Sequence, residues 1–173
     1  YDPRTPESLE FVKTVQNKIH YGAHGHTTSE VIAQRVDADR PFMGLTVFSG
    51  ERPQKGESRI AKNYLTEEEL ATLNRMVSAF FDLAELRAMQ RQPMYMKDWV
   101  TELDDFTQRY GKGVLPGAGT VSHQEALEKA TAEYEKYRQR TAEELFPVER
   151  DFLASIKETQ KKLEEKSRIN EGG

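Results

Sequence analysis

Three of the places where a serine or threonine stands three residues ahead of a glutamate lead into apolar periodicity: Thr27/Glu30, Thr66/Glu69 and Ser122/Glu125. Each is a capping-box pattern, in which the hydroxyl accepts the amide of the third helical residue and the carboxylate reaches back to the amide of the cap. The boxes set helix starts, and each leads into apolar residues at three- and four-residue steps, so most of the chain is committed to helix. Thr5-Pro6-Glu7 adds another start, with a capping hydroxyl, a proline at the first helical position and an acid near the positive helix end.

From these starts the sequence predicts an all-α fold of five to six helices around a central long helix over about 66–91, with a long C-terminal helical arm. The first helix carries Leu9, Phe11, Val12, Val15 and Ile19 toward the core until Gly22 and Gly25 interrupt it, and a short helix follows Thr27 as far as Val36. Between Asp37 and Ser58 the pattern breaks into a turn at Asp37 to Pro41, a short strand at Leu45 to Phe48 and a polar stretch, which together read as a mobile loop. The central helix is stapled by Leu65 and Leu70 and bears Leu73, Met76, Val77, Phe80, Phe81, Leu83 and Leu86, an apolar face wider than one stripe, ending before Pro93. Trp99, Leu103, Phe106 and Tyr110 mark a fourth helix, with Gly111 expected as a left-handed cap. Met94 and Met96 read as docking its start into the core. Ala126, Ala130, Tyr134 and Tyr137 mark the fifth, and Pro147 either kinks it or separates it from a last one. The domain reading is a helical domain over 1–146 and a charged helical extension over 147–173, whose Leu145, Phe152, Ile156 and Leu163 also fit a two-heptad seam for pairing with a second copy.

Composition narrows the function classes. No apolar run approaches the roughly 18 residues that a membrane span needs, which argues against a membrane partner. The net charge of −4 argues against a domain whose main work is gripping a nucleic-acid backbone. With Cys 0, disulfides and thiolate chemistry are excluded, and the expected location is cytoplasmic. Because the chain opens on Tyr1, it reads as a piece of a longer protein.

Candidate chemistry centres on polar residues within the helical strings. His20, His24 and His26 fall within seven residues at a helix end, where imidazoles can share a metal, yet no H-E-x-x-H arrangement is present and an exposed helix end favours histidine through its dipole, so no metal site is favoured. Lys62, Asn63, Tyr64 and His123 join His20 and His24 as catalytic candidates if they converge on one pocket. Arg52, Lys55, Arg59 and Lys62 make the irregular loop basic, with Tyr64 as a stacking group for nucleic acid, although Glu51 and Glu57 dilute the charge. The glycine-rich stretch from Gly111 to Thr120 resembles an anion loop only loosely, since it lacks the Walker frame. Asp104 and Asp105 are adjacent and point about 100° apart on a helix, so they do not flank one reacting bond. No cofactor is implied.

Several strings taken together resemble the RhuM virulence-protein family: Val15-Gln16-Asn17-Lys18-Ile19-His20-Tyr21, His24-Gly25-His26-Thr27, Met43-Gly44-Leu45-Thr46, Ala61-Lys62-Asn63-Tyr64-Leu65-Thr66, Met96-Lys97-Asp98-Trp99 and Gly119-Thr120-Val121-Ser122-His123. The resemblance runs from about Tyr1 to Tyr137. It implies a bacterial, mobile-element setting such as a pathogenicity island or prophage, and a place as the C-terminal domain behind an N-terminal region similar to phage-antirepressor DNA-binding modules. Nucleic acid would then be met through that other region, while this domain would take a protein partner or form a homodimer. Some members are grouped with Fic/Doc proteins, whose motif is His-x-Phe-x-Asp/Glu-Gly-Asn. None of Asn17, Asn63, Asn74 and Asn170 follows a glycine here, so Fic-type catalysis is in doubt and the enzyme or toxin alternative rests on a polar cleft. The reading is a helical interaction and regulatory domain.

Overall fold

The computed structural model describes residues 4–142, 144 and 146–171, with side chains as far as Glu165. Each expected N-terminal cap is made. Thr5 accepts the Ser8 amide and Pro6 opens α1 (Pro6–His24). Thr27 and Glu30 close a reciprocal box on α2 (Thr28–Arg35). Thr66 and Glu69 do the same for the central α3 (Glu67–Met89). α4 (Met96–Tyr110) follows, then α5 (His123–Thr141), whose Ser122 and Glu125 exchange bonds with each other's amides. Pro147 separates rather than kinks: it is the first residue of α6 (Pro147–Glu171), and the Glu149 carboxylate accepts the Phe146 amide ahead of it. Among the described residues the fold is all-α, with six α-helices and no strand.

Two compact units make up the chain, Tyr1–Tyr137 and Arg138–Gly173. In the first, α1 packs on α3 and α4, while α2 packs on a 3-10 turn at Ala61–Tyr64. The core joins Ile19, Val31, Ile32, Met43, Tyr64, Leu65, Leu73, Met76, Phe80, Leu103, Ala126, Ala130 and Tyr137, all buried. In the second unit, α6 carries the Phe152, Ile156 and Leu163 stripe; the Leu145 end of the expected seam lies outside the described residues.

Three local expectations are corrected. Gly22 does not interrupt α1, which runs to His24 and ends on Gly25 in the left-handed region (φ 84°). A β-carbon at Gly22 would meet Thr107 Cγ2 at 2.7 Å, so glycine there admits α4 rather than ending a helix. Gly111 is extended (φ −117°, ψ −159°) rather than left-handed, and a β-carbon on it would meet the Gly22 carbonyl oxygen at 2.6 Å. The two glycines are therefore one close helix contact, with the Lys112 amide donating to the Gly22 carbonyl at 2.7 Å. The strand expected at Leu45 to Phe48 is absent because it has no ladder partner: the amides of Thr46 and Val47 both donate to the single carbonyl of Asn63.

The segment from Asp37 to Ser58 is organised by its own bonds. Phe42, Met43 and Gly44 take successive positive φ values, which turns the chain back and buries Met43. The Glu57 carboxylate accepts the amides of Ser49 and Gln54 and the Ser49 hydroxyl, tying the polar stretch across its base.

The expected apolar stripes are only partly consumed by the core. On α1, Ile19 is buried while Val12 is 42% exposed; on α3, Phe80 is buried while Phe81 is 67% exposed. Of this surplus Val12 and Phe81 lie along one groove, while Leu9, Leu86 and Met89 are exposed outside it.

Candidate functional site

The end of α1 meets the start of α3 across a small set of polar side chains. His20 and His24, one turn apart on α1, approach Nδ1 to Nε2 at 2.9 Å, with their rings edge to face. Burial drives both imidazoles down to about 4; at His20 the second ring and the Lys62 ammonium add to the effect, and at His24 the Glu69 carboxylate opposes it. Two neutral imidazoles carry two protons on four nitrogens, and one proton lies in the shared bond. The outer nitrogens, His20 Nε2 and His24 Nδ1, therefore always differ, one a donor and the other an acceptor. His24 Nδ1 is buried with no hydrogen-bond partner.

Next to the pair, Arg35 grips Glu69 in a fork, Nη1 and Nη2 donating to the two carboxylate oxygens at 2.6 and 2.7 Å. Arg35 Nη1 also donates to the Tyr64 carbonyl, which ties α2, the Ala61–Tyr64 turn and α3 into one corner. The guanidinium holds the Glu69 carboxyl at about 2, well below the usual range, and the Thr66 amide lowers it further. His24, Glu69 and Lys112 line a polar cavity of about 560 Å³ with Thr66, Glu68 and Thr72.

On the other side, His20 and Lys62 stand at one end of a second cavity, also about 560 Å³, with apolar walls. Val12, Val15 and Ile19 of α1 face Leu73, Val77 and Phe81 of α3, and Trp99 of α4 contributes to the lining beside Phe80, with ring centroids 6.1 Å apart. The His20–His24 bond thus joins an apolar groove to a polar cavity through α1.

Residues 1–145, most of the chain, match the family described as Virulence protein RhuM family. The chain belongs to the RhuM virulence family. No curated protein and no solved structure matches it. The match takes in every string on which the resemblance rests, and it makes this RhuM chain virulence-associated without assigning a reaction.

Within the RhuM fold the other candidate residues are divided among separate places. His26 Nδ1 donates to the His24 carbonyl at 3.2 Å, so it follows the pair along the backbone without joining it. Among the described residues no three His, Asp or Glu side chains converge as metal ligands. Tyr64 is buried, its hydroxyl donating to the Ser58 carbonyl at 2.7 Å, and burial pushes that phenol well up. The Asn63 amide donates to the Glu57 carbonyl, so both residues brace the loop. His123 lines other depressions, one with Arg59 and Glu128. The basic loop divides as well: Arg59 donates to Thr131 on α5, while Lys62 stands at the apolar groove; Arg52 is engaged within the fold and Lys55 lies on the exposed surface.

Four amides of the glycine-rich connection are spent internally. Those of Gly111 and Gly113 go to the Thr107 carbonyl, that of Lys112 to Gly22, and that of Thr120 to the Glu30 carboxylate. Arg35, Glu30 and Asp104 are what sequence reasoning missed. Glu30 read only as a capping residue, yet it also accepts the Thr120 hydroxyl at 2.9 Å; Asp104 pairs with Lys18 at 2.5 Å.

Proposed function

We propose that this domain is a recognition module of a virulence-associated bacterial protein, regulatory rather than catalytic, and that it receives its ligand in the groove between α1 and α3. The observation that carries this is the set of apolar side chains of those two helices, Val12, Val15, Leu73, Val77 and Phe81 among them, that line one cleft. Filling the groove tests it. Ala84→Phe, on the groove wall, should abolish the virulence-linked phenotype of the intact protein while its circular dichroism and melting stay unchanged. A wild-type phenotype from a folded Ala84→Phe protein would overturn the reading.

A second reading, an enzyme or toxin that uses the histidine pair as a base, has in its favour the neutral pair set between two cavities. It expects His24→Asn to silence the intact protein as fully as Ala84→Phe does. Full activity in a folded His24→Asn variant ends it.

A further inference from the structure

The two ends of the apolar groove differ in kind. At the far end stand Phe11, Phe81 and Ala84, and at the near end Lys62, His20 and Leu73. The Lys62 ammonium, like those of Lys55, Lys97 and Lys112, has no hydrogen-bond or ion-pair partner among the described residues, and of these lysines it is the one that lines the groove. Beside it, His20 is more than nine-tenths buried and keeps Nε2 for the groove, because Nδ1 is committed to His24. A free cation and a ring nitrogen at one end of an apolar channel match an anionic head followed by an apolar tail.

Resting on the groove as the recognition site, we propose that it binds a single-chain aliphatic carboxylate, with its head between Lys62 and His20 and its tail along α1 toward Phe11. One ammonium and one N–H suit a monoanion with two oxygens; a phosphate would ask for more donors than this end supplies. The bound carboxylate selects one tautomer of the pair. His20 Nε2 carries the proton and donates to the ligand, His20 Nδ1 accepts from His24 Nε2, and His24 Nδ1 is left as a bare acceptor. Phe11 to His20 spans about 13 Å at a rise of about 1.5 Å per residue, room for an extended chain of roughly ten to twelve carbons. Gln16 and Asn74 add amides to the lining without adding charge.

Trp99 is the sole tryptophan and part of the groove lining, so the ligand can be read by contact quenching. The 173-residue chain, of which this holds, is titrated at pH 7.5 with 11-bromoundecanoate, and in parallel with 11-bromoundecanol. The expected result is saturable quenching by the acid, at least about tenfold tighter than by the alcohol. Lys62→Met, a change at an exposed position, should erase that preference, weakening the acid to the level of the alcohol, with the melting temperature unchanged. Acid and alcohol binding equally well to the wild type would overturn the carboxylate assignment and leave the groove as a recognition site. Absence of saturable quenching by either compound would overturn the ligand class altogether, and the Ala84→Phe phenotype would still decide the recognition reading by itself.

Discussion

His20 Nδ1 and His24 Nε2 lie 2.9 Å apart in the buried corner where α1 meets α3, two imidazoles that share one proton and have little water. Both are held near 4 by burial, against about 6.5 in an unfolded chain. The unfolded state therefore takes up protons first as the pH falls. The stability these rings permit is fully present above about pH 6.5 and is lost progressively as the pH drops toward 4. Unfolding free energies from urea titrations should decline over that window, with a limiting slope of about 1.4 kcal/mol per pH unit for each ring. A His20→Asn/His24→Asn variant should show a flatter profile there; a decline equal to that of the wild type would place the titration elsewhere.

The Arg35–Glu69 fork should outweigh an exposed ion pair, since both side chains are about three-quarters buried and the carboxylate also serves the Thr66 amide. Glu69→Ala removes the fork and half of a capping box and leaves a guanidinium uncompensated, at a cost of about 2 to 3 kcal/mol. Glu69→Gln keeps a cap acceptor and should cost about half as much. A Glu69→Gln variant as stable as the wild type in denaturant titrations would show that the charge contributes nothing.

Helix starts were legible because capping is local: Thr27 and Glu30, or Thr66 and Glu69, meet within one turn whatever else the chain does. The separation of α6 at Pro147 has the same origin, a proline taking the first helical position. Gly22 and Gly111 were misread because their shared reason, the approach of α1 to α4, exists only in three dimensions. The wide apolar face of α3 was visible in the sequence, but nothing local tells Phe80, which is buried, from Phe81, which is exposed in the groove. The histidine cluster was legible as a cluster. Its partners were not, since Arg35 and Glu69 come from helices separated by a long irregular segment, and Glu30 hid its bond to Thr120 behind its capping role.

The glycine contact makes a sharper test than stability alone. Gly111→Ala would push a methyl against the backbone oxygen of Gly22, which cannot turn aside, and should cost about 2 kcal/mol or more. Gly22→Ala instead meets Thr107 Cγ2, a side-chain methyl that can be deleted. Thr107→Ser should therefore recover part of the loss caused by Gly22→Ala and none of that caused by Gly111→Ala. Additive effects in the Gly22→Ala/Thr107→Ser double variant, measured by thermal unfolding, would refute this packing.

Glu30 links the start of α2 to the end of the glycine-rich connection, accepting the amide of Thr27 through one oxygen and the amide and hydroxyl of Thr120 through the other. Burial pushes its carboxyl up, and these donors more than offset it, so the net shift is downward. A carboxylate held in this way contributes stability above its unfolded pKa and loses it as the pH falls through the lowered folded value, below the window of the histidines. Glu30→Gln replaces one acceptor oxygen by a donor and must abandon either Thr27 or Thr120. The cap is the tighter local unit, so Thr120 should be released first. Amide hydrogen exchange at Thr120 should then accelerate by at least about tenfold in Glu30→Gln while the amides of α2 keep most of their protection. Acceleration along α2 with Thr120 unchanged would mean that the cap, not the connection, depends on this carboxylate.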